Sequence, residues 1–280
     1  MKPDSRETEH WLDPGDGNRL FCRRFSPPAP TAAMVLVHGF VEHSGRYVEL
    51  AWRLVERNVA VLAFDLRGHG RSAGPRVWVD RFDRFVDDLA AVLASARQAW
   101  PDLPLFVFGH SLGGAIVART VIDRQPDLRG VALSAPGLRV SSDVFPWLRR
   151  LALALDGLVP RLRLVRATAS RVSRDPAVVA QFRGDPLVFH GRFPVHIGAE
   201  ILRAGPAILA SAEQFRSPVL VLHGTGDRLT DPRGSQEFLE RVASTDTTLR
   251  LYPELWHDLL HEPEKEQVTA DLIEWLDRRR

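Results

Sequence analysis

The run Leu105-Phe106-Val107-Phe108-Gly109-His110-Ser111-Leu112-Gly113 decides how this chain is read. Four apolar residues lead into a G-x-S-x-G pattern, and a helix-like stretch follows from Leu112 to Arg124. A nucleophilic serine needs this setting. It must sit on a sharp, strained turn at the end of a strand, with small neighbours that let strand and helix approach closely. The start of the helix then directs backbone N–H groups and the positive end of its dipole toward developing negative charge. G-x-S-x-G alone arises by chance; between a strand and a helix it marks Ser111 as a candidate nucleophile. The plainer alternative is a serine that caps the helix while glycines make a tight turn. His110, inside the pattern, reads as a packing residue.

Outward from this stretch, short β-rich runs alternate with helical patterns. Arg19–Phe25, Met34–Val37, Val59–Phe64, Val131–Leu133, Val219–Leu222 and Leu249–Tyr252 read as further strands. Most are unbroken apolar runs, as expected of strands covered on both faces in a parallel sheet. Helices are predicted over Arg46–Arg57, Phe82–Ala99, Gly234–Val242 and Glu264–Arg279. Such alternation implies a mostly parallel, doubly wound sheet with right-handed crossovers. It breaks between Gly137 and Ser217, where the chain is rich in Leu, Val, Arg and Pro and looks helical. The expected organisation is therefore an α/β core of residues 1–137 and 217–280 with a helical cap, 138–216, inserted between two core strands. No internal repeat or low-complexity tract interrupts it.

A serine hydroxyl is a weak nucleophile until a neighbouring base takes its proton. In the order serine, acid, histidine, both partners lie later in the chain. The strand Val219–Leu222 runs into His223-Gly224-Thr225-Gly226-Asp227, so Asp227 stands just past a strand end after small residues. The competitor, Asp231, precedes Pro232 and reads as a helix N-cap with proline at the first helical position. After Leu249–Tyr252 comes Glu254-Leu255-Trp256-His257, which makes His257 the candidate base. His261, before Glu262-Pro263, reads as a loop residue near the start of a helix. His38-Gly39-Phe40 follows Met34–Val37, where a second donor to a tetrahedral oxyanion is placed, so the amides of Phe40 and Leu112 are the candidate oxyanion hole. His38 itself reads as a brace for that loop.

Composition narrows the class. With 45% hydrophobic and 26% charged residues, the chain is that of an ordinary folded protein. Met1–His10 is polar, so a signal peptide is not expected. No apolar run approaches the roughly 18 residues of a membrane span. Cys22 is the sole cysteine, excluding an intrachain disulfide, and its apolar surroundings suggest packing. The chain carries +2 in all, yet Arg139 to Arg174 contains eight arginines and two aspartates. One basic segment on a mildly acidic remainder argues against a general nucleic-acid binder.

These residues resemble those of the monoacylglycerol lipases of the α/β-hydrolase superfamily. The resemblance rests on His38-Gly39-Phe40 with Glu42-His43-Ser44-Gly45-Arg46-Tyr47, on Phe64-Asp65-Leu66-Arg67-Gly68-His69-Gly70-Arg71-Ser72, and on Gly109-His110-Ser111-Leu112-Gly113-Gly114. Asp185-Pro186-Leu187-Val188, Asp227-Arg228-Leu229 and Trp256-His257 extend it to almost the whole length. The string from Glu42 to Tyr47 is its most specific part. By this resemblance Ser111, Asp227 and His257 form the triad, and Phe40 and Leu112 supply the oxyanion amides. Methionine usually follows the serine in the family; a backbone donor should tolerate Leu112. Arg67–Ser72 lacks the spacing and lysine of a phosphate-binding loop, and the resemblance makes it scaffold, with Asp65 and Arg67 in structural polar contacts.

Within the expected cap, residues 145–165 place Leu and Val at helical spacing among Trp147 and several arginines. This reads either as a helix packed on the core or as an amphipathic lid that touches lipid. The resemblance adds an acyl-chain tunnel beneath it. The expected activity is ester hydrolysis of monoacylglycerols through an acyl-enzyme, with lysophospholipid or broad carboxylic ester hydrolysis as the alternative. Neither a metal nor an organic cofactor is implied. The expected partner is a lipid ester, with no nucleic acid, in a cytoplasmic protein able to touch a membrane surface through the cap.

Overall fold

The computed structural model describes residues 6–143, 146–167 and 169–280. Its strands are β1 (Arg6–Leu12), β2 (Leu20–Ser26), β3 (Ala32–Val37), β4 (Val59–Phe64), β5 (Leu105–His110), β6 (Gly130–Ser134), β7 (Arg163–Arg166), β8 (Arg192–Pro194), β9 (Val219–Gly224) and β10 (Thr247–Tyr252). Its α-helices are α1 (Val48–Glu56), α2 (Asp83–Ala99), α3 (Leu112–Arg124), α4 (Pro146–Asp156), α5 (Pro176–Gly184), α6 (Val195–Ala210), α7 (Pro232–Arg241) and α8 (Lys265–Asp277).

Eight strands form one sheet in the order β1-β2-β4-β3-β5-β6-β9-β10. β2 is antiparallel to β1 and to β4, and all other neighbours are parallel. Side chains alternate between the two faces, so each apolar strand feeds two cores. Met34, Leu36, Phe106 and Phe108 pack with α1 and α8 residues such as Leu54, Leu272 and Trp275. Val35, Val37 and Val107 pack on the other side with Leu89 of α2, Ile116 of α3, Ile208 of α6 and Phe238 of α7. Each such side chain taken fully out of water contributes roughly 1.5–3 kcal/mol. Both faces are therefore covered, as the unbroken apolar strands require.

Parallel register sets the site. Val37 lies beside Gly109, His110 beside Ser134, and Gly224 beside Tyr252. The loops after β3, β5, β6, β9 and β10 thus emerge at one edge of the sheet, the carboxyl edge where open α/β sheets bind their ligands.

Three features differ from the sequence reading. Residues 6–12 form β1, paired along its whole length with β2 although its side chains are largely exposed. Backbone pairing rather than burial makes this strand, so an apolar pattern does not announce it. The helix expected over 145–165 ends at Asp156, and after Gly157 and Pro160 the chain forms β7, antiparallel to β8. A chain breaker stops the helix where leucine spacing alone would continue it. The helix expected from Arg46 begins with a 3-10 turn, Ser44–Tyr47, before α1. Among the described residues no helix is long and apolar enough to cross a membrane.

Candidate active site

Ser111 stands between β5 and α3 with φ 54° and ψ −117°. A non-glycine residue held there stores of order 1–3 kcal/mol. Three backbone hydrogen bonds hold it: its N–H donates to Ser134 O at 2.9 Å, and its carbonyl accepts from Gly137 N at 2.9 Å and Ala115 N at 3.1 Å. Gly113 permits the close approach. A Cβ there would lie 2.3 Å from Val37 O and 2.4 Å from His38 O.

His257, after β10, sets Nε2 2.8 Å from Ser111 Oγ and Nδ1 2.7 Å from Asp227 Oδ2. The carboxylate only accepts, so Nδ1 carries the proton and Nε2 faces the serine as acceptor. Asp227, after β9, is fixed by the N–H groups of Leu229 at 2.7 Å and Thr230 at 3.0 Å, both on Oδ1. Burial would raise the Asp227 carboxyl, but the facing imidazoles of His257 and His223 outweigh it and hold the group well below the ordinary carboxylate range. Burial likewise opposes charge on His257, yet Asp227, with Asp258 and Glu42 further off, raises it above the ordinary histidine value of 6.5. Asp231 stands apart, accepting from Arg233 N as the N-cap of α7.

Among the described residues, the backbone amides of Phe40 and Leu112, the candidate oxyanion donors, donate to no protein acceptor, and both residues line the cavity beside Ser111. The loop bearing Phe40 is braced from two sides. His38 accepts from Leu66 N at 2.8 Å through Nε2, so its Nδ1–H donates to Gly39 O at 2.7 Å. Glu42 Oε1 accepts from Gly39 N at 2.6 Å and from Tyr47 OH at 2.7 Å.

Behind His257 lies a buried polar cluster that the motifs did not indicate. Arg46 bridges Glu42 at 2.9 Å and Asp258 at 2.5 Å. His261 donates to Asp258 Oδ1 at 2.7 Å and meets Arg46 O through Nε2 at 3.0 Å. The His110 ring stacks obliquely on His257, centroids 4.8 Å apart. Burial, and then His257, push His110 down to about 4, so it is a neutral neighbour of the candidate base rather than packing alone. Glu42 and Arg46 stand four apart in the Glu42–Tyr47 string, and Asp258 and His261 three apart after His257, but the contacts of Arg46 with Asp258 and of His261 with Arg46 O join loops far apart in sequence.

Ser111 and His257 open onto a cavity of about 410 Å³. That lies within the roughly 300–1,000 Å³ of small-ligand sites. Its walls are mostly apolar, with Phe40, Phe82, Leu112, Phe182, Phe193 and Ile201 prominent. Residues of 138–216 and of the core share the lining, and Arg149, Arg166 and Arg171 reach it as well. Elsewhere the polar residues serve the scaffold. Asp65 accepts from Ser44 and Arg71, and Arg67 pairs with Asp88. Burial, with Asp65 nearby, pushes the Cys22 thiol up to about 12, which keeps it an inert packing group.

A family model described as "Serine aminopeptidase, S33" matches residues 28–264. A monoacylglycerol lipase of Mycolicibacterium smegmatis is 36% identical over 273 residues, covering 97% of this chain and 98% of that one. The monoglyceride lipase of Homo sapiens is 35% identical, with 94% of this chain and 88% of that one covered. The crystal structure of the Paleococcus ferrophilus monoacylglycerol lipase superposes with a TM-score of 0.83 at 32% identity, over 93% of this chain and 99% of the other. On likeness of this extent the chain belongs to the monoacylglycerol lipase family of the α/β-hydrolase superfamily.

Proposed function

We propose that this protein hydrolyses the ester of monoacylglycerols to glycerol and a fatty acid, with Ser111 as nucleophile. The observation that carries the reading is the unbroken chain Ser111–His257–Asp227, at 2.8 and 2.7 Å, opening onto an apolar cavity. His257 Nε2 takes the Ser111 proton as Oγ attacks the ester carbonyl carbon. Negative charge then forms on the carbonyl oxygen, where the Phe40 and Leu112 amides stabilise it. The tetrahedral intermediate collapses, the glycerol oxygen leaves with the proton held by His257, and an acyl-serine remains. Water, deprotonated by the same imidazole, attacks the acyl carbon; the bond to Ser111 Oγ breaks, Oγ takes the proton back from His257, and the acid is freed. Asp227 keeps the imidazole in the tautomer this needs and stabilises the imidazolium. The apolar walls suit an acyl chain.

Residues 138–216 act in this reading as a cap that meets the lipid surface. Six large apolar side chains between Trp147 and Leu162 are exposed, Trp147 at 62% and Leu158 at 78% among them. Among the described residues Arg150, Arg161 and Arg166 meet no carboxylate, whereas Arg139 and Arg174 pair with Glu237 and Glu262. Apolar contact joined to unpaired positive charge favours an anionic membrane face.

The test is a hydrolysis panel of monoacylglycerols, triacylglycerols, short soluble esters and an aminoacyl anilide, with Ser111→Ala beside the unaltered protein. Monoacylglycerols should give the highest kcat/KM and the anilide none. Preference for the anilide, or activity that survives Ser111→Ala, would reject the reading.

A further inference from the structure

His223 is fully buried in β9, four residues before Asp227, and the chemistry above gives it no task. Its Nδ1 lies 2.7 Å from Ser235 Oγ of α7. Its Nε2 lies 3.2 Å from Asp227 Oδ2 and 3.3 Å from Thr230 Oγ1. Because a carboxylate cannot donate, the ring nitrogen turned toward Asp227 carries the proton, and the Ser235 hydroxyl donates to Nδ1. Thr230 Oγ1 donates to the same Oδ2 at 2.8 Å. Asp227 Oδ2 is therefore shared between two imidazoles and a hydroxyl.

We propose that His223 is a positioning residue for the reaction, a second imidazole on Asp227 that fixes the carboxylate and tempers its grip on His257. The inference rests on Asp227 being the acid that orients the base. A carboxylate with several donors is held in one rotamer, and its charge is spread over them. Removing one donor leaves more charge for His257, which then keeps its proton to higher pH. The other ionisable groups acting on His257 are Asp258, Glu42 and His110, and none of them is altered by a change at position 223. A purely architectural His223 would only tie β9 to α7 through Ser235.

Two substitutions separate these roles. In His223→Gln the terminal amide takes the place of Nε2 and can still donate to Asp227. In His223→Asn the amide takes the place of Nδ1, so the Ser235 contact survives and the Asp227 contact is lost. Steady-state kinetics on a short soluble ester from pH 5 to 10, with Tm for each variant, read the difference. The inference expects His223→Gln to retain kcat within about threefold, with an unmoved acid limb. It expects His223→Asn to lose about tenfold in kcat at little change in KM, with an acid limb displaced upward, as the loss of a charge-assisted hydrogen bond implies. Equal kinetics in both variants, or a worse His223→Gln, would overturn it, as would a changed Tm in His223→Asn with no movement of its limb. If His223→Asn does not fold, His223→Gln alone decides: kcat within about threefold and an unmoved limb despite loss of the Ser235 contact support the inference, and a tenfold loss of kcat or a displaced limb rejects it. Asp227→Asn is the control for the underlying reading. Should it stay active, the triad assignment fails; should it be inactive while His223→Asn behaves as wild type, only the role of His223 fails.

Discussion

The Glu42 carboxylate holds the Gly39 N–H at 2.6 Å, one residue before Phe40, whose amide is the proposed oxyanion donor. The same carboxylate is tied to Tyr47 and Arg46, so the loop rests on a buried ion pair rather than on solvent. Glu42→Gln keeps an acceptor for Gly39 but turns an amide toward Arg46, which has only donors. It should lower kcat by on the order of 10- to 100-fold with a small effect on KM, since an oxyanion donor acts on the transition state. A rise in KM at constant kcat would show that the loop binds substrate instead.

Removing the proposed nucleophile should be far more costly. Ser111→Ala and His257→Ala are each expected to lose on the order of 10⁴–10⁶ in turnover, and Ser111→Ala should abolish labelling by a fluorophosphonate. His261→Ala removes a partner of Asp258 but leaves Arg46 on that carboxylate. Its expected signature is a lower Tm with kcat kept within about tenfold, the loss of one charge-assisted contact. Equal damage from His257→Ala and His261→Ala would contradict the assignment.

The pH profile follows from the sign of one shift. In the proposed reaction His257 must be neutral to accept the serine proton, and its surroundings raise it above 6.5. The acid limb of kcat/KM should therefore have its midpoint above pH 6.5, with activity lost as pH falls through it. A profile on a soluble ester with a midpoint at or below 6.5 would contradict the electrostatics described.

Contact with a lipid surface is open to a separate measurement. Arg150 and Leu158 are exposed and lie outside the cavity lining. Arg150→Ser with Leu158→Ser should weaken co-sedimentation with anionic vesicles while hydrolysis of a short soluble ester is kept. Each basic residue near such a surface adds about 1 kcal/mol, so binding should fall as salt rises. Equal binding to neutral vesicles would show the arginines to be a solvated face.

Local chemistry made much of this legible. The turn at Ser111 is written in contiguous residues, and chain order then points to loops after β9 and β10, where Asp227 and His257 meet the serine. The apolar runs fixed most of the sheet because strands buried on both faces cannot be polar. Less visible were elements whose cause lies elsewhere in the chain. β1 exists because β2 offers its edge, and β7 because β8 returns beside it. The Glu42–Arg46–Asp258 cluster joins residues 42 and 258, a pairing that no spacing rule contains. His223 stood in the sequence only as the residue after the apolar run Val219–Leu222, and nothing in that run announces the contact it makes with Asp227.

The ribbon formed by β1 and β2 also bears on how the chain keeps to itself. A sheet edge is a row of unpaired N–H and C=O groups that invites a strand from another molecule. β1 fills the side of β2, and it presents Arg6, Glu7 and Glu9 in the outermost position, with Glu7 and Glu9 bridged to Arg23. Charges in that place make a poor template for a second chain. Deleting residues 6–12 would strip this guard and bare β2, whose Leu20, Phe21, Cys22 and Phe25 are buried in the intact fold. The penalty would then fall on solubility, through strand exchange between copies, well before it reached the serine at the far end of the sheet's loops.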